Sequence, residues 1–303
     1  MLVPVLMMLL QAVPVPTFSV QVHIVGVTVS VTDTRTGRPV VGLTPEDFQV
    51  MEDNHRQEVT FFEQEEVPAS VLILLDGSTS MRGLLPRVRD AAAQLIRRLR
   101  PIDEVQVAAF DDHYRLLCDF TTDHEMAVRA LSGMRQGDET ALNWAIYTAT
   151  RFLERRDEGN IERKRVLILL SDAENTHDSM SYASALDALH HSSVVLYVVH
   201  LQRRLAGDGG RLDTLAETAR RFVEEAVYDT GGRLVTVPYP YEDYVIAGAF
   251  SDISTELGAQ YHLAYASSSD PDKAGWRSIS IASTRRIGLS LRYRKGYAVA
   301  PRR

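Results

Sequence analysis

The chain has 303 residues, 45% of them hydrophobic, and a formal net charge of -7 at pH 7. That length and apolar content are enough for one large domain and a smaller one, each around a packed core. The negative charge argues against a nucleic-acid partner, because phosphate contacts need clustered Lys and Arg. The lone Cys118 excludes an internal disulfide, so packing alone must hold the fold.

The first 17 residues form an almost wholly apolar segment, in which no Lys or Arg precedes the run from Leu2 to Leu10. The run has the length of the hydrophobic part of a secretion signal and is too short to cross a bilayer. We interpret residues 1–17 as a candidate signal peptide and expect an exported protein, periplasmic or extracellular. An uncleaved signal would be its only membrane anchor, and a buried N-terminal strand is the alternative.

Residues 18–66 have the period of two that is typical of half-buried strands. Apolar residues alternate from Val20 to Val31, with a change of phase that predicts a bulge near Gly26. The runs 48–52 and 58–62 flank Asp53-Asn54 and predict a hairpin. The same period returns in residues 259–303. We therefore predict a small β module built from the N- and C-terminal strands.

Residues 67–258 alternate between strand and helix patterns, which predicts a doubly wound, mostly parallel, Rossmann-like α/β sheet covered on both faces. The predicted strands span residues 71–75, 105–110, 116–120, 166–170, 194–200 and 234–237. The predicted helices span residues 85–99, 126–134, 141–153, 182–190, 212–227 and 244–257.

The first strand of this region ends abruptly in polar residues, where Asp76, Ser78 and Ser80 alternate. Ligands of open α/β sheets bind at this edge. Thr140 directly precedes a helical pattern that it can also cap, and Asp172 follows another buried run. Carboxylate and hydroxyl oxygens without His or Cys suit Mg²⁺ rather than Zn²⁺.

These five residues, in this order and on these elements, resemble the metal-ion-dependent adhesion site of the von Willebrand factor type A family. The resemblance covers nearly the whole chain and is closest to bacterial, often exported, members. It implies a bound Mg²⁺, or Mn²⁺ or Ca²⁺, that accepts an Asp or Glu carboxylate from a protein partner. Relatives usually carry Asp-Gly-x-Asp after the second strand, where this chain has Ala173 and Asn175, so the shape of that loop is in question.

The residues leave other interpretations open. The Ser and Thr side chains can simply cap helices while Asp172 ends a strand. A structural or assembly protein with a degenerate metal site is one alternative function. A metal-dependent hydrolase is another, but the sequence lacks a Gly-x-Ser-x-Gly elbow, a phosphate loop and a His-Glu-x-x-His motif. We therefore expect a binding module and not an enzyme.

Overall fold

The computed structural model describes residues 23–64, 67–156, 163–176, 180–202, 211–270, 273–284 and 287–300, without the side chains of 211–216. The segment interpreted as a signal peptide lies outside these residues. The strands are β1 (Ile24–Asp33), β2 (Phe48–Glu52), β3 (His55–Gln57), β4 (Val59–Glu63), β5 (Ala69–Asp76), β6 (Glu104–Phe110), β7 (Tyr114–Thr121), β8 (Lys164–Ser171), β9 (Val195–Leu201), β10 (Arg233–Val237), β11 (Tyr261–Ala266), β12 (Gly275–Ser283), β13 (Leu289–Arg292) and β14 (Gly296–Val299). The helices are α1 (Leu85–Arg98), α2 (His124–Ala130), α3 (Leu142–Arg156), α4 (Tyr182–His190), α5 (Arg211–Thr230) and α6 (Asp243–Gly258).

Strand β5 is an inner strand of a six-stranded sheet with the order β10-β9-β8-β5-β6-β7. Neighbouring strands are parallel, except that β7 runs antiparallel to β6. Every residue of β5, β8 and β9 is buried, as strands covered on both faces require. The predicted α/β fold class is therefore confirmed.

Alternate residues of β5 enter different cores on the two faces of this sheet. Val71, Ile73 and Leu75 pack with residues of α1, α2 and α6. Leu72 and Leu74 face the other way and pack with residues of α3, α4 and α5. The continuous apolar run of β5 is thus explained by burial on both sides. The second predicted helix, residues 126–134, differs in its bounds, since α2 spans His124–Ala130 and a 3-10 turn follows at Leu131–Gly133.

The remaining strands form two four-stranded antiparallel sheets, with the orders β13-β1-β11-β4 and β14-β12-β2-β3. Strands from the two ends of the described chain alternate in the first sheet and meet at the centre of the second. For example, β1 pairs with β11, and β2 pairs with β12. The two sheets share one apolar core that includes Val27, Val50, Tyr261 and Ile281. The boundaries that we assigned to the domains stay a prediction.

Two local predictions for these strands are wrong. The register between β1 and β11 runs without interruption past Gly26, so no bulge occurs there. Val25 to Val31 keep one phase, with the odd-numbered valines buried, while Val20 lies outside the described residues. The hairpin closes through β3 instead of β4, because Asp53 and Asn54 both adopt positive φ in a two-residue turn. Strand β4 joins the other sheet, beside β11.

Candidate metal centre

The first loop of the candidate centre turns back on the carboxylate that precedes it. Asp76 ends β5 and is completely buried. Its Oδ1 accepts a hydrogen bond from the backbone N–H of Ser78 at 2.9 Å, which is the local turn that Asp residues favour. Ser78 Oγ lies 3.0 Å from Ser80 Oγ. Ser78 is buried, whereas Ser80 is exposed to solvent, so the loop leads from the buried carboxylate to the surface.

The second loop carries Thr140, which is buried and tied to the third loop. The backbone N–H of Thr140 donates to Thr176 Oγ1 at 2.9 Å, and the Thr176 N–H donates back to the Thr140 carbonyl at 3.0 Å. The N–H of Gly137 donates to the carbonyl of Gly77 at 2.8 Å, which joins the second loop to the first. Helix α3 begins at Leu142, so Thr140 lies one residue before the N-cap position that we expected it to occupy.

The third loop follows β8 and carries Asp172. Parallel pairing of β5 with β8 extends to Leu75 and Leu170, so both strands end at the same edge of the sheet. Asp172 is 5% exposed, and its Oδ1 accepts from the N–H of Glu174 at 3.3 Å. Its Oδ2 is buried and has no hydrogen-bond partner among the described residues. Leaving such an acceptor unsatisfied costs about 1–3 kcal/mol.

The two carboxylates of the centre interact unfavourably with each other. Complete burial and the nearby charge of Asp172 raise the pKa of Asp76 to about 7, and hydrogen bonds from Ser171 and Ser78 only partly oppose this. Ser171 Oγ donates to Asp76 Oδ2. Two carboxylates that share a buried site resist double ionisation unless a cation compensates them.

The donor set fits a hard divalent cation. It contains two carboxylates and three hydroxyl groups, which are oxygen ligands that Mg²⁺, Mn²⁺ and Ca²⁺ accept. The buried Oδ2 of Asp172 needs a partner, and the raised pKa of Asp76 indicates an uncompensated negative charge. A divalent cation would satisfy both requirements at once.

In the third loop, a residue other than glycine adopts a backbone conformation that favours glycine. Ala173, which replaces the usual Gly, has a φ of 56° and lies in the left-handed region. This conformation costs an L-residue about 1–2 kcal/mol. The N–H of Ala173 donates to Ser171 Oγ at 2.9 Å, and its methyl group is buried in the core. Packing and this hydrogen bond therefore hold the loop in the strained conformation.

Asp111, which the sequence analysis did not single out, supports the second loop. Its carbonyl accepts from the N–H of Ala141 at 2.8 Å, while its buried carboxylate contacts Arg115. A Cβ atom on Gly137 would lie 1.7 Å from Asp111 Oδ2, so the loop passes close over this side chain. The sequence contains a signal for this residue, because Asp111 comes directly after the apolar run of a buried strand, as Asp76 and Asp172 do.

Asp111 also belongs to a second group of side chains that could hold a metal ion. Ligand atoms of Asp111, Asp112 and His113 all lie within 4.8 Å of one another. However, Asp111 is paired with Arg115, and Asp112 Oδ1 lies 2.8 Å from His113 Nδ1. Because both carboxylates already have partners, we assign no ion to this group.

Comparison with family models gives one match. Residues 71–174, about a third of the chain, match the model of the von Willebrand factor type A domain. This match confirms the resemblance inferred from the motif. Domains of this family are generally protein-interaction modules, and a metal can bind at their adhesion site. A comparison with curated proteins returned no match.

One solved structure agrees with this chain in fold, and two others are similar over part of it. A von Willebrand factor type A protein from Catenulispora acidiphila is similar over 93% of this chain and 74% of its own, with 10% identity and a TM-score of 0.51. BatB from Bacteroides thetaiotaomicron is 21% identical over 62% of this chain and 98% of its own, with a TM-score of 0.47. Proximal thread matrix protein 1 from the mussel byssus was solved with zinc in its metal-ion-dependent adhesion site. It is 12% identical over 63% of this chain and 48% of its own, with a TM-score of 0.48.

The described part of the chain contains no helix with both the length and the apolar character needed to span a bilayer.

Proposed function

We propose that this chain is a non-catalytic, metal-ion-dependent protein-binding module that serves adhesion or assembly. Asp76, Ser78 and Ser80 are the ligands of the first loop, Thr140 supplies a hydroxyl from the second, and Asp172 acts from the third, directly or through water. The bound ion is Mg²⁺, with Mn²⁺ or Ca²⁺ able to replace it. The observation that carries this proposal is the buried acid pair, in which Asp172 Oδ2 has no described partner and the pKa of Asp76 is raised.

The partner presents an Asp or Glu carboxylate. Three of the five ligand residues contribute neutral hydroxyl groups, and the set is too small to fill the octahedral shell of Mg²⁺, so the ion keeps exchangeable water. A carboxylate that replaces such a water makes a strong and directional contact. Ser80, the exposed residue of the set, lies on the side from which a partner can approach.

Export and the domain organisation are part of the same proposal. Residues 1–17 direct the chain out of the cytoplasm, residues 67–258 form the metal-binding domain, and residues 18–66 and 259–303 complete one β module. The pairing of β1 with β11 and of β2 with β12 supports a module of that composition.

Thermal unfolding of the full chain in EDTA, Mg²⁺ and Mn²⁺ tests the metal site. An ion that binds only the native state stabilises it by about 2.7 kcal/mol at a hundredfold excess over its dissociation constant. We expect the melting temperature to rise with ion concentration for the wild type and to stay constant for Asp76→Asn. Equal responses of the two proteins would refute the site.

Proton relaxation of water in the Mn²⁺-loaded protein tests carboxylate capture. A synthetic peptide with one central Glu should displace a bound water and reduce the relaxation enhancement, while the matched Gln peptide should not. If the metal binds but both peptides behave alike, the site holds an ion without capturing carboxylates. An assembly role through other surfaces would then be the better explanation.

A further inference from the structure

A cavity of about 450 Å³ lies at the opposite edge of the central sheet from Asp76. Strands β1 and β14 form one side of it, and the beginning of β8 and the turn before β9 form the other. Its volume falls within the range of small-molecule sites, about 300–1,000 Å³. The cavity is therefore large enough for a ligand and separate from the candidate metal centre.

Most of the charged side chains that line the cavity are cationic. Three arginines line it, Arg163, Arg165 and Arg294, together with three histidines. Glu154 is the only acid among the described lining residues. Its Oε1 accepts from the N–H of Ser193 at 3.1 Å and lies 4.0 Å from Arg165 Nη1. Arg163 also pairs with Glu104, which lies 3.6 Å away and outside the lining, so ion pairs already engage both Arg163 and Arg165.

Arg294 is the lining arginine that forms no ion pair with a described carboxylate. Its Nε donates to the carbonyl of Gly296 at 2.9 Å and its Nη2 to the carbonyl of His190 at 3.4 Å. Its guanidinium also lies 5.5 Å from the ring centre of Tyr297. All three partners are neutral, and within the described part of the chain no carboxylate lies within ion-pair distance of Arg294. Burial lowers its pKa to about 10, although the nearby charge of Glu154 acts in the opposite direction.

We propose that this cavity binds a phosphate group, either as free phosphate or as the monoester of a small molecule, with Arg294 as its principal contact. A guanidinium presents several N–H donors in a planar fork that matches the oxygens of a phosphate. A dianion would form the ion pair that Arg294 lacks among the described residues. The remaining volume accommodates a small ester group. This site is independent of the proposed metal-dependent function.

Calorimetric titration of the full chain with inorganic phosphate and with glycerol phosphate, in EDTA and at constant ionic strength, tests the proposal. We expect saturable binding of phosphate to the wild type and loss of that binding in Arg294→Gln. Arg294→Lys, which keeps the charge but not the fork, should bind more weakly than the wild type. Arg98→Gln, on the exposed face of α1, should bind like the wild type.

A second pair of variants keeps the test valid if Arg294→Gln does not fold. Ala300 lines the cavity and is exposed, so it tolerates a larger side chain. Ala300→Glu should weaken phosphate binding by repulsion, and Ala300→Gln should not. The proposal would be overturned if neither phosphate nor glycerol phosphate showed saturable binding. It would also be overturned if both Arg294→Gln and Ala300→Glu bound phosphate with wild-type affinity. Tighter binding of glycerol phosphate than of phosphate would identify an ester as the preferred ligand.

Discussion

Two completely buried carboxylates, Glu52 in the β module and Asp76 in the α/β sheet, have opposite environments. Glu52 accepts hydrogen bonds from the hydroxyls of Tyr265 at 2.8 Å and Tyr297 at 2.9 Å, and from Ser267 and Ser269 at 2.5 and 2.6 Å. Burial alone would raise its pKa, but these four donors hold the pKa below its ordinary value. Glu52 is thus satisfied as an anion by the protein itself.

Asp76 has fewer donors and an acid for a neighbour, and burial and that neighbour raise its pKa to about 7. A second satisfied acid strengthens the contrast. Glu256 accepts from Tyr197 at 2.7 Å and from Ser30 at 2.8 Å, and it also pairs with Arg292. Among these three buried acids, the charge is compensated in Glu52 and Glu256, whose roles are structural, and left uncompensated in Asp76, where we propose that an external ion binds. Compensation of the charge therefore distinguishes the structural acids from the proposed metal site, whereas burial does not, because all of these acids are buried.

The largest change in stability should follow from a substitution of Glu52, the buried acid whose charge is satisfied by hydrogen bonds. Glu52→Gln exchanges an anionic oxygen for an amide that donates, so hydroxyl groups of the cluster lose an acceptor. We expect a loss of about 3 kcal/mol in the free energy of unfolding, measured by urea denaturation at pH 7. The exposed Glu58→Gln is the control and should change stability by less than about 0.5 kcal/mol. Similar values for the two variants would contradict a structural role for Glu52.

A smaller loss should follow from crowding the metal centre. In Gly137→Ala the new methyl group would collide with the Asp111 carboxylate, and overpacking costs about 1–3 kcal/mol. The displaced loop carries Thr140, so Mg²⁺ affinity should fall as well. Gly83→Ala is the matched control, since a Cβ atom there meets nothing within 4 Å. Thermal unfolding with and without Mg²⁺ measures both effects, and unchanged affinity in Gly137→Ala would contradict the role of this loop.

The acid pair should also make stability depend on pH. Because the folded pKa of Asp76 is about 7 and the ordinary pKa of an aspartic acid is 3.8, the native state binds more protons between these values. Stability from this group is therefore present at low pH and is lost as pH rises towards 7. In EDTA, the wild type should lose at least about 1 kcal/mol between pH 5 and pH 8 relative to Asp76→Asn, since one pKa unit corresponds to about 1.4 kcal/mol.

Mg²⁺ should reverse this loss, because the ion competes with the proton for the carboxylate. The stabilisation by Mg²⁺ should therefore be larger at pH 8 than at pH 5. Parallel pH profiles of the wild type and Asp76→Asn in EDTA would show that Asp76 titrates normally.

The smallest effect is expected at Ala173. Ala173→Gly relieves a left-handed conformation worth about 1–2 kcal/mol, but it also removes a buried methyl group worth about 0.8 kcal/mol and adds backbone entropy to the unfolded chain. We expect a net change below about 1 kcal/mol in urea denaturation, with Mg²⁺ affinity retained. A large loss of affinity would show that the methyl group itself shapes the third loop.

Much of the fold follows from local patterns in the sequence. The apolar run before Asp76 predicted a buried parallel strand, and the alternation of strands and helices predicted the sheet, because period and burial are coupled. Short-range geometry was harder to predict. The hairpin partner was wrong because two residues with positive φ, Asp53 and Asn54, make a tighter turn than the flanking apolar runs suggested.

The sequence by itself determined the five ligand residues of the proposed centre and the sheet edge to which they belong. Only the tertiary structure decided which buried charges are compensated. Glu52 meets Tyr297 across 245 positions of sequence, and Arg294 meets no described carboxylate although the chain contains 40 acidic residues. The physical reason is that compensation depends on which distant side chains converge in a low-dielectric interior, and no local period encodes that convergence.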